Sequence, residues 1–382
     1  MQRSSTGREC RRGKADHNKS TADMISQVTE WRLAYEKLPE NAVKFSTKHF
    51  AHAMAVDYIH HSNVGEMVGT QSWHETQDAI ESFCDGGKKV LPTRCENLET
   101  VNTFEAVKLL HNTHEAMDNT GLLTVQEICD IHRVLLQGLH PDCGRIHTRE
   151  VYTHWQGGRH YYPPPGQAEE MFYALIDHHN KRMTECPYAR NSDEYTAYIF
   201  NCAARLLFEF VSVHPFGDGN GRTCRLLATY VLGLITPFPV SLYHSPGGNA
   251  REDYLNAIVH CREHPEEGPH ELTAMLIQGA WRGWRCLFDN LERRRELKPG
   301  VIIGPIVVQK SLCKEEYVTE RVGRIWAGAL RRGVKTDMEC VVKAIIRAVQ
   351  ETDIDRLTRT QYMQKTVPIT EPNVSIRLDI YG

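Results

Sequence analysis

Apolar residues recur at three- and four-residue spacing over Met24–Glu36 and Lys48–His61, which predicts amphipathic helices. The pattern returns from Glu99 to Met117, where Asn119-Thr120-Gly121 supplies a C-terminal stop. Thr124, with Glu127 three positions on, forms a capping box opening a helix that extends to Leu139, and Pro141 and Gly144 break it. The period then changes. Glu150–Thr153 and Arg159–Tyr162 flank Gln156-Gly157-Gly158, predicting a β-hairpin closed by Pro163, Pro164 and Pro165. Helical spacing resumes over Gln167–Arg182, Ser192–Val213, a segment opening near Gly219, Asp253–His264 and Leu272–Leu297. Past Lys298-Pro299-Gly300 the signal weakens: Val301–Val308 is a short apolar run, Val341–Val349 reads as helix and Val374–Tyr381 alternates like a strand.

These elements predict an all-α, mainly helical fold carrying one β-hairpin. The expected divisions are a basic flexible tail over 1–23, an N-terminal helical region over 24–95, a helical domain over 96–298 and a C-terminal region over 299–382. The sequence assigns that last region no function. The length of 382 residues fits two or three domains at ~150 residues each. With 41% hydrophobic and 24% charged residues, the chain is neither disordered nor collagen-like. A net charge of -3 gives no reason to invoke nucleic acid or an anionic membrane as partner. The 12 cysteines, spread from Cys10 to Cys340 without a CxxC pair, read as reduced thiols of a cytoplasmic or nuclear protein. No apolar run reaches the ~18 residues of a membrane span. The N-terminus lacks the apolar core of a secretory signal.

The chemistry concentrates in Val213–Arg225, VHPFGDGNGRTCR. A helix ends at His214, Pro215 blocks its continuation, three glycines follow and a new helix begins. Such a turn aims backbone N–H groups and a helix dipole one way, making a cradle for phosphates. Arg222 and Arg225 lie three apart on one face and suit further phosphate oxygens. Asp218 is a hard oxygen ligand placed for a phosphate-bound Mg²⁺, and His214 titrates near neutral pH. Each residue alone has a plainer reading: a surface arginine, a helix-capping histidine, an ordinary glycine loop. Together they make one site.

HPFGDGNGR, His214 to Arg222, resembles the HPFx(D/E)GNGR signature of the Fic (Fido) family. The similarity extends over a helical core from about Glu96 to Asn290. Ile131–Leu136 resembles the helix before the family's flap, and Gly144–Val151 the approach to the flap hairpin. The resemblance implies a protein adenylyltransferase that moves AMP from ATP to Ser, Thr or Tyr hydroxyls of a target protein. His214 would be the general base and Asp218 the Mg²⁺ ligand. The N–H groups of Gly219, Asn220 and Gly221 would steady the α-phosphate, each such donor worth ~3 kcal/mol. Arg222 and Arg225 would hold the β- and γ-phosphates. Thr223 and Cys224 would complete the nucleotide-contacting stretch, the flap residues Val151, Tyr152, Thr153 and His154 would cover the nucleotide, and Tyr254 would contact the nucleoside. Phe216 reads as core packing.

A second motif resembles the family's inhibitory helix, (S/T)xxxE(G/N): Ser62 and Glu66 share one helix face, four apart. Glu66 is expected to pair with Arg225 and withhold it from the γ-phosphate. Met67 stands where the family prefers Gly or Asn, and Gly65 replaces an apolar residue at ~1 kcal/mol of helix propensity. Other readings of the same site are removal of AMP, transfer of another phosphate-containing group, and a nucleotide-gated binding module. Homodimerisation is left open.

Overall fold

The computed structural model describes residues 19–37, 40–85, 93–116, 120–155, 158–243, 250–295, 301–330, 337–351, 362–368 and 374–381. Residues 1–18 of the expected basic tail, the Gln156-Gly157 turn, Asn119 and the Lys298-Pro299-Gly300 junction lie outside them. The chain divides into two compact units, Met1–Lys37 with Phe50–Arg285, and Leu38–His49 with Cys286–Gly382.

The first unit is the helical one. It is built from α1 (Thr21–Glu36), most of α2 (Glu40–Glu66), α3 (Trp73–Asp85), α4 (Cys95–Ala116), α5 (Val125–Leu135), α6 (Pro165–Thr184), α7 (Asp193–Val213), α8 (Asn220–Leu232), α9 (Ala250–Glu263) and the first part of α10 (His270–Arg295). Between α5 and α6 stands one antiparallel hairpin, β1 (Tyr152–Trp155) and β2 (Gly158–Tyr161), in the register Tyr152 opposite Tyr161 and His154 opposite Arg159. Capping chemistry fixes the starts: Ser20 with Asp23 opens α1, and Thr124 with Glu127 opens α5, each as a reciprocal capping box.

The core is organised on α7 and α8. Both bury residues around most of their circumference, as helices surrounded by others do. α7 alone is long and apolar enough to span a membrane by length and composition among the described residues, but it packs with α1, α6 and α8. Phe172, Phe200, Phe210 and Phe216 are fully buried there. This arrangement places the α7–α8 turn between two buried helices.

The C-terminal region is a second fold with its own core. β3 (Val301–Gln309), α11 (Glu315–Leu330), α12 (Met338–Gln350), β4 (Tyr362–Pro368) and β5 (Val374–Tyr381) form a three-stranded sheet, ordered β3-β5-β4, with two helices. β5 is central, parallel to β3 and antiparallel to β4. Val308, Val318, Val322, Val341, Ile345, Ile376 and Leu378 are buried together. The apolar run at Val301–Val308 is thus a strand whose partner lies seventy residues away in sequence, a pairing that local pattern does not encode.

Candidate active site

α7 ends on a residue in the left-handed region: His214 has φ 54° and ψ 55°. Its backbone N–H donates to Phe210 O at 2.9 Å, and Pro215 prevents further helix. The ring Nδ1 lies 3.2 Å from the carbonyl of Val211. A carbonyl only accepts, so Nδ1 carries the proton and Nε2 presents its lone pair. Burial pushes the imidazole down to about 4, with Arg262 and His147 adding to the effect against the Val211 carbonyl, so it is neutral at physiological pH. A neutral ring with a free Nε2 is the form a general base requires.

Asn220 braces the loop beyond it. Its Oδ1 accepts from Phe216 N at 3.0 Å and its Nδ2 donates to Phe216 O at 2.7 Å, so one buried side chain closes the turn on itself. Gly219, at φ 74°, makes the left-handed step into α8. His132 of α5 anchors the loop from below. It donates from Nε2 to Asp218 O at 2.9 Å, accepts the Gly144 N–H at Nδ1 at 2.8 Å, and stacks on Phe216 at 3.8 Å. His147 N–H donates to Pro215 O at 2.9 Å, tying the approach to the hairpin to the same loop.

At the start of α8 the first backbone N–H groups have no intrahelical acceptor. Arg222 is buried, its Nη1 has no hydrogen-bond partner, and its Nη2 stops 4.0 Å from Asp218 Oδ2. A buried guanidinium with an orphaned donor fits an anion such as a phosphate. The Asp218 side chain is 62% exposed, which leaves a carboxylate oxygen for a hard divalent cation. The residues present therefore fit a magnesium-bound polyphosphate.

The end of α2 reaches this cradle. Arg225, only 2% exposed, donates from Nη1 to Glu66 Oε1 at 2.6 Å and from Nη2 to Ser62 Oγ at 3.1 Å. A Cβ added at Gly221 would lie 2.7 Å from Glu66 Oε1, so the carboxylate sits against the first turn of α8. Burial pushes the Glu66 carboxyl up, but Arg225, with Arg222 and Arg251, outweighs it and holds the group below its ordinary range. The Tyr243 and Tyr254 rings lie 5.1 and 6.0 Å from the Arg225 guanidinium carbon. Tyr243 also explains Gly65. A methyl there would meet its ring at 2.5 Å, so only glycine lets α2 come this close.

The structure gathers His214, Asp218, Asn220, Gly221, Arg222, Arg225, Ser62 and Glu66 around one turn. It places others elsewhere. The Gly219 N–H, expected in the cradle, donates to Asp218 Oδ1 at 2.6 Å instead. The Thr223 hydroxyl turns back to Gly219 O at 2.9 Å, where its helix offers an acceptor. Cys224 and Tyr254 are buried against each other, Sγ to OH 3.6 Å, with the Tyr254 ring also beside the Arg225 guanidinium. Tyr152 and His154 share one face of the hairpin and Val151 and Thr153 the other, with Tyr152, Thr153 and His154 all exposed. His132, His147, Tyr162, Tyr243 and Arg262 were not among the expected site residues. His132 and His147 lie within Ile131–Leu136 and Gly144–Val151, the segments that resemble the family's; the others offer only polar or aromatic character in otherwise ordinary elements.

Residues 122–232 match the Fic/DOC family. "Protein adenylyltransferase Fic" of Nematostella vectensis is 26% identical over 240 residues, 62% of this chain and 51% of that protein. The protein of the same name from Aedes aegypti is 26% identical over 237 residues, 61% of this chain and 40% of its own. This chain thus spans about half or less of the length of these relatives. A Fic domain containing signaling protein from Bacteroides thetaiotaomicron superposes with a TM-score of 0.55 at 18% identity, covering 70% of this chain and 97% of that one, which shows the shared fold. The helical core, its hairpin and the HPFGDGNGR turn make residues 122–232 of this chain a Fic/DOC family domain.

Proposed function

We propose that this protein is an adenylyltransferase that moves AMP from ATP to a hydroxyl of a Ser, Thr or Tyr on a protein target, held in check by Glu66. The observation that carries the reading is the juxtaposition of a neutral His214, its Nε2 unprotonated, with the α8 N-terminus and the orphaned Nη1 of Arg222. Nε2 takes the proton as the hydroxyl oxygen bonds to the α-phosphorus, and the bond to the departing pyrophosphate breaks. The α8 N–H groups and Arg222 meet the charge that develops on the phosphates. Asp218 would hold Mg²⁺, which neutralises phosphate charge when bound.

Inhibition follows from competition for one guanidinium. Arg225 is buried, so it requires an anion, and Glu66 supplies one. Removing a partner from such a pair costs about 3–5 kcal/mol because the other charge is left uncompensated. A γ-phosphate in place of Glu66 meets that demand equally well. ATP and the end of α2 therefore compete for Arg225.

The test uses ATP labelled at the α-phosphate, with Mg²⁺, on three forms: unaltered, Glu66→Gly, and Glu66→Gly combined with His214→Ala. Weak labelling of the first, strong labelling of the second and none of the third is the expected result. Absence of label in all three, with ATP still bound, would overturn the proposal.

A further inference from the structure

The imidazole of His214 has a neighbour outside the motif. The ring of Tyr162 lies parallel to it, centroids 3.6 Å apart with 12° between planes. Tyr162 belongs to the hairpin. Its N–H donates to Val151 O at 3.0 Å, one step beyond the Tyr152–Tyr161 pair, and its hydroxyl lies 3.1 Å from Thr153 Oγ1. Strand alternation puts Val151, Thr153, His160 and Tyr162 on the face that meets His214. Two groups back the tyrosine: His160 meets its edge at 5.0 Å, and the Arg262 guanidinium of α9 sits 5.8 Å from its centroid.

On the reading of His214 as the base, we propose that Tyr162 is its positioning residue, so that the hairpin determines whether the base is aligned. The single hydrogen bond from Nδ1, 3.2 Å long, tethers one ring atom. Rotation of an imidazole about its own bond to Cβ is otherwise soft. A second flat ring pressed along its face removes that freedom and excludes water. No motif residue does this, because the loop closes beneath His214 through Asn220 and Phe216. The charged and polar groups around the imidazole are Arg262 of α9, His147 before the hairpin, Asp218 of the loop and the Val211 carbonyl of α7. Tyr162 adds no charge to them. It acts by cover and by shape, and a hairpin that swings away takes that cover with it.

The experiment compares Tyr162→Ala and Tyr162→Phe in the full-length Glu66→Gly protein, with two readouts. The first is α-phosphate labelling over a range of ATP concentrations. Tyr162→Ala should lower kcat about tenfold or more, the scale of a misplaced catalytic group, with KM for ATP unchanged. Tyr162→Phe keeps the ring, loses only the hydroxyl contact to Thr153, and should restore kcat. The second readout is the titration of the His214 imidazole by NMR, which requires no activity. In Tyr162→Ala it should move from about 4 toward the ~6.5 of a free imidazole, and in Tyr162→Phe it should stay. An alanine variant that labels and titrates like its parent overturns the proposal, as does one whose titration moves while kcat does not. A phenylalanine variant as impaired as alanine also overturns it. Should the Glu66→Gly parent not label at all, the adenylyltransferase reading falls, and the titration still decides whether Tyr162 holds the ring.

Discussion

Two helices of this protein end in the same strained way, and the two ends differ in what their side chains do. Among the described residues, non-glycine positive φ occurs at His214, 54°, and at Met67, 57°. Such a conformation costs an L-residue about 1–2 kcal/mol. At the end of α7 the strain has a use: it turns His214 out of the helix, where Val211 and Tyr162 hold the ring. At the end of α2 the backbone closes a Schellman turn, Val68 N–H to Asn63 O at 3.1 Å and Met67 N–H to Val64 O at 3.3 Å. The Met67 side chain is 73% exposed. Buried hydrogen bonds among Asn63, Thr70, Thr76 and Thr100 fix the chain on either side of Met67. Its own side chain contributes nothing that glycine would lack.

The comparison breaks if both ends respond to glycine alike. His214→Gly should relieve backbone strain yet reduce α-label transfer by at least about 10²–10⁴-fold, the contribution of a general base. Acid should test the buried histidines next. Burial lowers His132, His179 and His214 to about 4, so the unfolded chain binds more protons than the folded one below ~6.5. Their stabilisation is complete at pH 7 and is lost as pH falls through that window, by up to about 2 kcal/mol each at pH 5. Urea unfolding at the two pH values reads this loss. Glu66, lowered by Arg225 against the effect of burial, stays ionised at pH 5, so the pair at the end of α2 persists.

Asn220→Ala leaves the buried N–H and C=O of Phe216 without partners and should cost about 2–3 kcal/mol in the same unfolding assay. Gly65→Ala sharpens the comparison from the other side. Its methyl meets the Tyr243 ring, and overpacking of about 1–3 kcal/mol falls on the inhibited arrangement alone. Basal labelling should rise about fivefold or more although Glu66 and Arg225 are intact. The smallest effect is Met67→Gly, which should stabilise the fold by about 1 kcal/mol and lower basal labelling.

The HPFGDGNGR turn was legible because its chemistry is contiguous and local rules apply to it. Proline stops α7, glycine permits the step into α8, and the new helix exposes its N–H groups. Helix caps at Thr124 and the hairpin around Gly158 followed from equally local signals. α3 and α11 were not anticipated, although α3 opens on a capping box of the same kind, Ser72 with Glu75. The burial of Thr223, Cys224 and Tyr254 was not legible, because membership of a motif does not say which side of a helix meets the core. Beyond their aromatic character Tyr243 and Tyr162 carried no signal, since nothing beside them in sequence hints at Gly65 or His214.

By itself, then, the sequence determined the helical character of the core, the hairpin and the glycine-rich turn between α7 and α8. It also provided the Ser62–Glu66 pair on one helix face. Only the tertiary structure decided that Tyr162 covers His214 and that β3 pairs with β5, while the contact of Glu66 with Arg225 across 159 residues of chain was expected from the family resemblance alone. The physical reason is range. Caps, turns and helix periodicity depend on groups a few residues apart, whose geometry the backbone itself fixes. Ion pairs, ring stacks and parallel strand pairing join groups that only the packing of the whole core brings within reach.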